Sequence, residues 1–375
     1  MTNRERLLTV LRGEIPDCVP VCPDFSNMVP CRLTGRPFWD VYLFRDPPLW
    51  RAHLDATKLL GNDAGFELYD FGPVDVVDGS RPLTEERIVY RDADVIVTQL
   101  FDPGTGAWSP RATAYPVANP PVENVDPVRY GVPRPPRDWE PVSRRPQKEG
   151  YELWRSIREE MGESGIVGMS SGFGTFVLSG EADVYSFHDN PRPWIEKIER
   201  MTADSLQRLD AIAGLPVKPD FVMCGGSGTL IFQTPSFVRE HLLPGLKKVT
   251  RRAKEIGVFS HVHSCGPERE LVDMVVEATD LTVIDPLEIP PMGNCDLAEI
   301  KRRYGDRIVL KGNLHTTQVM LRGSVEEVAR ASREAIDAAK AGGRFILSTG
   351  DQCGRDTPLE NIRAMIETAR TYGRY

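Results

Sequence analysis

The sequence has no apolar run of about 18 residues, which excludes a membrane-spanning helix. It has no surplus of positive charge: 46 Lys and Arg stand against 54 Asp and Glu, a net charge of −8. A phosphate backbone is held by a basic face, so nucleic acid is excluded as the main partner. Cysteine is sparse, seven in 375 residues. An odd number so thinly spread is no disulfide framework, and free thiols fit a reducing, cytoplasmic setting. Met1 to Arg6 is charged and is expected to lead into a helix rather than to read as a signal peptide. No Gly-x-Gly-x-x-Gly turn follows the first strand. No Walker lysine follows Gly225-Gly226-Ser227-Gly228, which leaves that stretch at most an anion-cradling nest.

What is present is a repeated alternation of short apolar runs with helical stretches. Thr2 and Glu5 have capping-box spacing and open a helix through residue 12. Core strands begin near residues 19, 66, 166, 220, 258, 281, 308 and 345, and helices separate most of them. Eight such units in one chain predict a single α/β domain over 1–375, a (β/α)8 barrel of TIM type. An open doubly wound sheet ranks behind it. Residues 25–46 read as irregular, and 174–187 and 191–213 as helical. The pattern breaks over 86–147. Residues 86–116 read as a β-meander, and 116–147, rich in proline and charge, as an extended excursion that could serve as a lid or part of a substrate pocket.

In a barrel the working groups stand at the carboxyl ends of the strands. Those positions hold Asp24, Asp70, Ser170, Cys224, His263, Cys265, Asp285, Glu288, Asn313, His315, Asp351 and Cys353. His263 and Cys265 are two apart at a strand end and can aim an imidazole and a thiolate at one point. Cys353, after another apolar run, can complete the set, with Cys22 or Cys224 as alternatives. Three N/S ligands with one open position is the pattern of a catalytic zinc. The same residues also read as ordinary buried groups, since free cysteine is among the most buried residue types and a strand-end histidine often bonds a carbonyl. Glu288 is a candidate proton carrier or fourth ligand, His315 a candidate proton donor or support for a ligand, and Asp351 a candidate orienting group or turn cap. Asp24, Asp70, Cys224 and Asn313 are candidate substrate contacts. His261 reads as packed inside the barrel.

Several stretches carry a resemblance: residues 3–8, 235–248, His263-Ser264-Cys265-Gly266, Pro286-Leu287-Glu288 with Cys295-Asp296-Leu297, Gly312-Asn313, and 356–362. Together they resemble the uroporphyrinogen decarboxylase superfamily, and within it the zinc-dependent, corrinoid-linked methyltransferases. The resemblance implies a (β/α)8 barrel, zinc on His263, Cys265 and Cys353, and methyl transfer between a small substrate and the cobalt of a corrinoid. It also suggests a homodimer. No Asp-x-His-x-x-Gly motif is found, so the corrinoid is expected on a separate carrier protein. The expected substrate is an O-methyl compound undergoing demethylation, a methoxyarene above others, or a thiol in the reverse direction. Tyr90, Phe101, Trp108 and Tyr115 of the insertion would suit a ring. The arginine-rich segment of the decarboxylases is missing after Asp24, which places metal-free porphyrinogen decarboxylation second. Non-catalytic binding of a corrinoid or small ligand is a third reading.

Overall fold

The computed structural model describes residues 1–68 and 84–375. Residues 85–141 build a separate antiparallel sheet from β1 (Glu85–Arg91), β2 (Val95–Asp102), β3 (Ala107–Pro116), β4 (Val122–Val125) and β5 (Glu140–Pro141), in the order β4-β3-β2-β1-β5. The meander is therefore present, and the excursion after it adds two short strands that extend the sheet on both edges. Neighbouring side chains on a strand point to opposite faces. Ile96 accordingly packs with Leu43 and Ile88, while Val97 packs with Ala112 and Ala114 on the other face. The sheet is tied to the rest of the chain by backbone bonds from Phe38 N to Val117 O (2.8 Å) and from Arg145 N to Phe44 O (2.9 Å).

The main sheet is parallel and keeps sequence order: β6 (Gly168–Ser170), β7 (Phe221–Met223), β8 (Phe259–His263), β9 (Val283–Asp285), β10 (Val309–Leu314) and β11 (Phe345–Thr349). Two irregular segments close it. Val21 bridges Leu347 and Ala64 bridges Gly165, both in parallel. Leu347 N donates to Pro20 O (2.9 Å), Asp63 N to Val21 O (3.0 Å) and Gly168 N to Leu68 O (2.8 Å). The result is the expected (β/α)8 barrel, with its first two strands reduced to single bridges. The second strand starts earlier than expected, at Ala64, and residues 69–71 of the expected strand lie outside the described residues.

Two more expectations are corrected. Residues 25–46 contain short helices, Met28–Leu33 and Phe38–Tyr42. The helix expected from residue 174 begins only at Glu181, after a stretch in which Val177 N and Leu178 N both donate to the buried Gln233 side chain. A side-chain acceptor satisfies those two amides without a helix.

The helix Asn3–Leu11, with the expected Thr2–Glu5 capping box, seals the amino end of the barrel. Its Leu7, Val10 and Leu11 pack against Cys22, Phe66, Ile166, Phe221, Val283, Val309 and Ile346. Moving up each strand by two residues changes the lining from apolar to charged: Phe259 to His261 and His263, Val283 to Asp285, Val309 to Lys311. The barrel is thus dry at its floor and polar at its mouth. All seven cysteines are free, and among the described residues no helix is long and apolar enough to cross a membrane.

Candidate functional site

Asp285, at the end of β9, is the hub of the mouth. It is 1% exposed and accepts from three sides. His261 Nε2 donates to Oδ1 at 2.7 Å, His263 Nδ1 to the same oxygen at 3.2 Å, and the Lys311 ammonium to Oδ2. Burial works against its charge, but Lys311, then His261 and His263, hold its carboxyl well below the usual range. The in-register pairing of β8, β9 and β10 produces this grouping, because His263 lies opposite Asp285 and the next strand brings Lys311 level with it.

A carboxylate only accepts, so both rings donate to Asp285. In its neutral form His263 then keeps its Nε2 lone pair, and this buried atom has no hydrogen-bond partner among the described residues. Nε2 lies 3.5 Å from Asp351 Oδ1, and one ligand atom each from His263, Cys265 and Asp351 fall within 4.8 Å of one another. Burial disfavours a proton on His263, yet Asp285, Asp351 and Cys265 raise its pKa well above the ordinary value. A site whose field favours a proton between carboxylates also favours a cation in its place. Imidazole nitrogen, thiolate and carboxylate are zinc donors, and a carboxylate behind the imidazole is the usual support of such a ligand. The residues present fit a zinc ion.

Two of the three expected ligands, His263 and Cys265, are brought together. Cys353 is not in the group. Its side chain is fully buried beside Thr349 and Thr357, its amide donates to Asp24 O (2.7 Å), and burial pushes its thiol up to about 12. Asp351, expected only to orient a ligand, is the third member of this group. The two residues share one short loop after β11, so sequence position alone cannot choose between them.

Glu288 is buried and accepts from Gly266 N at 2.5 Å through Oε2, and burial raises its pKa. It stands close enough to the donor set to interact with Asp351 and His263. His315 does not read as a proton carrier. Its Nδ1 accepts from Thr317 N (3.2 Å) and Gln318 N (3.3 Å), capping the following turn and leaving Nε2 as the protonated nitrogen. Asn313 donates to Leu287 O at 3.0 Å and borders a cleft beside His315 rather than the central cavity. Cys224 is a correction: it lies in the apolar core, fully buried, with its thiol donating to Val222 O at 3.6 Å. Asp70 lies outside the described residues.

Below the donor set is a cavity of about 120 Å³, lined by Asp24, Glu67, His261, His263, Asp285 and Lys311 together with smaller polar groups and the apolar Phe66 and Met223. Asp24 is present as expected; its Oδ1 accepts from Ser26 N at 2.8 Å and burial raises its pKa. Glu67 and Lys311 were not anticipated. Both sit in strand-like apolar runs, and the signal was the alternation itself, which turns Lys311 to the same side as Val309. The insertion's aromatics do not line the cavity. Phe101 stacks against the Arg87 guanidinium (3.6 Å), as does Trp139 (3.7 Å), and the Tyr115 hydroxyl bonds Glu86 (2.8 Å).

Fold and site together define a (β/α)8 barrel with a candidate metal-donor set at its carboxyl mouth. The sequence model of the uroporphyrinogen decarboxylase (URO-D) family matches residues 227–372. A methylcobamide:CoM methyltransferase, MtbA of Methanosarcina mazei, is 26% identical over 165 residues, 44% of this chain and 42% of the relative. MtaA of Methanosarcina barkeri, also a methylcobamide:CoM methyltransferase, is 26% identical over 141 residues, 37% of this chain and 38% of the relative. A solved methyltransferase from Methanosarcina mazei covers 99% of both chains with a TM-score of 0.65 at 17% identity, which shows the shared fold. The chain thus matches less than half the length of these curated relatives. The resemblance to this superfamily, and to its corrinoid-linked methyltransferases, is borne out.

Proposed function

We propose that the chain is a zinc-dependent methyltransferase. It would move a methyl group between a small O-methyl compound and the cobalt of a corrinoid on a partner protein, or from cobalt to a thiol in the reverse direction. The observation that carries the reading is the His263–Cys265–Asp351 donor set, with a buried, partnerless Nε2 on an imidazole held by Asp285. Zinc held there would act as a Lewis acid, favouring a thiolate or a departing alkoxide at neutral pH.

The chain's own groups supply the rest. Asp285 fixes the His263 ring and its tautomer. Glu288, with Oε2 accepting from Gly266 N and its pKa raised by burial, is the group placed to pass a proton to the departing oxygen. His315, with Nδ1 taken by two backbone amides, leaves a buried Nε2–H that has no partner among the described residues and is free to donate to a bound substrate. The apolar floor under the cavity excludes water from below. A methoxyarene has less support than a smaller, polar donor, because the insertion's aromatics stack among themselves and the cavity is mostly polar. A tetrapyrrole is far larger than about 120 Å³, and no arginine is among the described residues that line the space, so porphyrinogen decarboxylation gains no support.

Metal content per chain tests this, in wild type and in His263→Ala, Cys265→Ala, Asp351→Ala and Cys353→Ala. About one zinc per chain, lost in the first two variants, is expected. Loss in Asp351→Ala with retention in Cys353→Ala would identify the third donor, and the opposite pattern would restore Cys353. Folded wild-type protein that neither carries nor takes up zinc would end the reading.

A further inference from the structure

The cavity beneath the donor set has a charge and hydrogen-bond imbalance that zinc chemistry does not use. Three carboxyls line it: Asp24, Glu67 and Asp285. Lys311 pairs directly with Asp285 and acts on Asp24 and Glu67 only from a distance, and neither Asp24 nor Glu67 has an ion-pair partner among the described residues. Asp24 and Glu67 also repel each other.

A second observation concerns unfilled acceptors. His261 is 1% exposed and donates through Nε2 to Asp285, so its Nδ1 is a lone pair, buried and without a partner among the described residues. Glu67 Oε1 is likewise buried without a partner among the described residues. Both side chains line the same cavity. Buried acceptors without donors are costly, so an occupant that donates hydrogen bonds is favoured over an apolar or anionic one.

We propose that this cavity recognises an ammonium group on the substrate, held by Glu67, Asp24 and His261, so that the methyl donor is a small methyl ether carrying a cationic amine. The proposal rests on the methyl-transfer reading for what the molecule is used for, but not for its binding. It sets this chain apart from a protein that takes an anionic thiol, because a sulfonate or carboxylate would meet two unpaired carboxyls. Size agrees: a cavity of about 150 Å³ holds benzene, and about 120 Å³ suits a shorter chain. Burial pushes Glu67 up to about 7 although Lys311 acts against the shift, and Asp24 adds to it.

The test is calorimetric binding to the zinc-loaded protein, without corrinoid, of three ethers of similar size: 2-methoxyethylammonium, the neutral 1-methoxypropane and the anionic methoxyacetate. The ammonium is expected to bind more tightly than the neutral ether by about tenfold or more, as a charge-assisted bond requires, with methoxyacetate weakest. Glu67→Gln, which keeps the shape, should remove most of that preference, and Asp24→Asn part of it. Equal binding of cation and neutral ether, tighter binding of the anion, or a preference unchanged in both variants would overturn the proposal. Ammonium binding without any methylation of reduced corrinoid would sink the methyl-transfer reading alone. Methyl transfer from neutral ethers with no ammonium preference would sink this proposal alone.

Discussion

At the scale of single residues, the mouth of the barrel depends on one carboxylate. Asp285 accepts from His261, His263 and Lys311 while almost fully buried. Asp285→Asn keeps the size but presents an amide that can accept through only one atom. The His263 ring then loses its fixed tautomer, and zinc affinity should fall by about 10- to 100-fold. Competition with a chromophoric chelator measures this, and affinity within twofold or so of wild type would show that the ring is held by packing instead. His263 and Cys265 were legible because a two-residue spacing at a strand end fixes their direction. Asp351 against Cys353 was not, because a loop has no periodicity. Lys311 was missed for a related reason. Its run, Ile308-Val309-Leu310, reads as an apolar strand, and only knowing that the interior turns polar two residues up gives the lysine a purpose.

At the scale of elements, the strands and helices with strong periodicity were read with ends off by a few residues, while those defined by tertiary contacts were not. The helix Leu49–Leu60 shows how such contacts reach the site. Its His53 is 3% exposed and donates through Nε2 to Asn27 Oδ1 at 2.8 Å, and Asn27 lines the cavity. Burial lowers the His53 pKa to about 4, against 6.5 unfolded. The unfolded chain therefore binds this proton more readily than the folded one. The stability contribution is complete above pH 6.5 and drains away as pH falls toward 4. Between pH 7 and 5 the loss from this group is about 2 kcal/mol. Urea unfolding of His53→Gln, which keeps a donor but does not titrate, should show a smaller loss over that interval. A wild-type and variant difference independent of pH would mean that His53 is solvated well enough to titrate normally.

At the scale of the whole molecule, the sequence pattern announced eight strands but not how the ring closes. Six strands pair along regular ladders, and the seam between the first two relies on a side chain. Asp63, fully buried, donates its amide to Val21 O (3.0 Å) and accepts Val21 N through Oδ2 (2.8 Å). The same carboxylate pairs with Arg6 of the sealing helix and Arg370 of the last helix, each at 2.8 Å. One residue thus joins the first strand, the second, the floor and the carboxyl-terminal helix. No periodic signal marks such a residue, since Asn62-Asp63 after a helix reads as a turn. Breaking a buried pair leaves the opposite charges uncompensated, so Asp63→Asn should cost about 3 kcal/mol. Arg6 keeps Asp17 at 2.7 Å, which holds the loss below that of a complete orphan. The donor set, at the opposite end of the barrel, should bind zinc unchanged in the fraction that remains folded. Denaturant unfolding together with zinc titration separates the two effects. Lowered stability with normal metal affinity supports a seam that acts on the fold alone. A parallel loss of metal affinity would mean that closure at the floor also sets the geometry of the mouth.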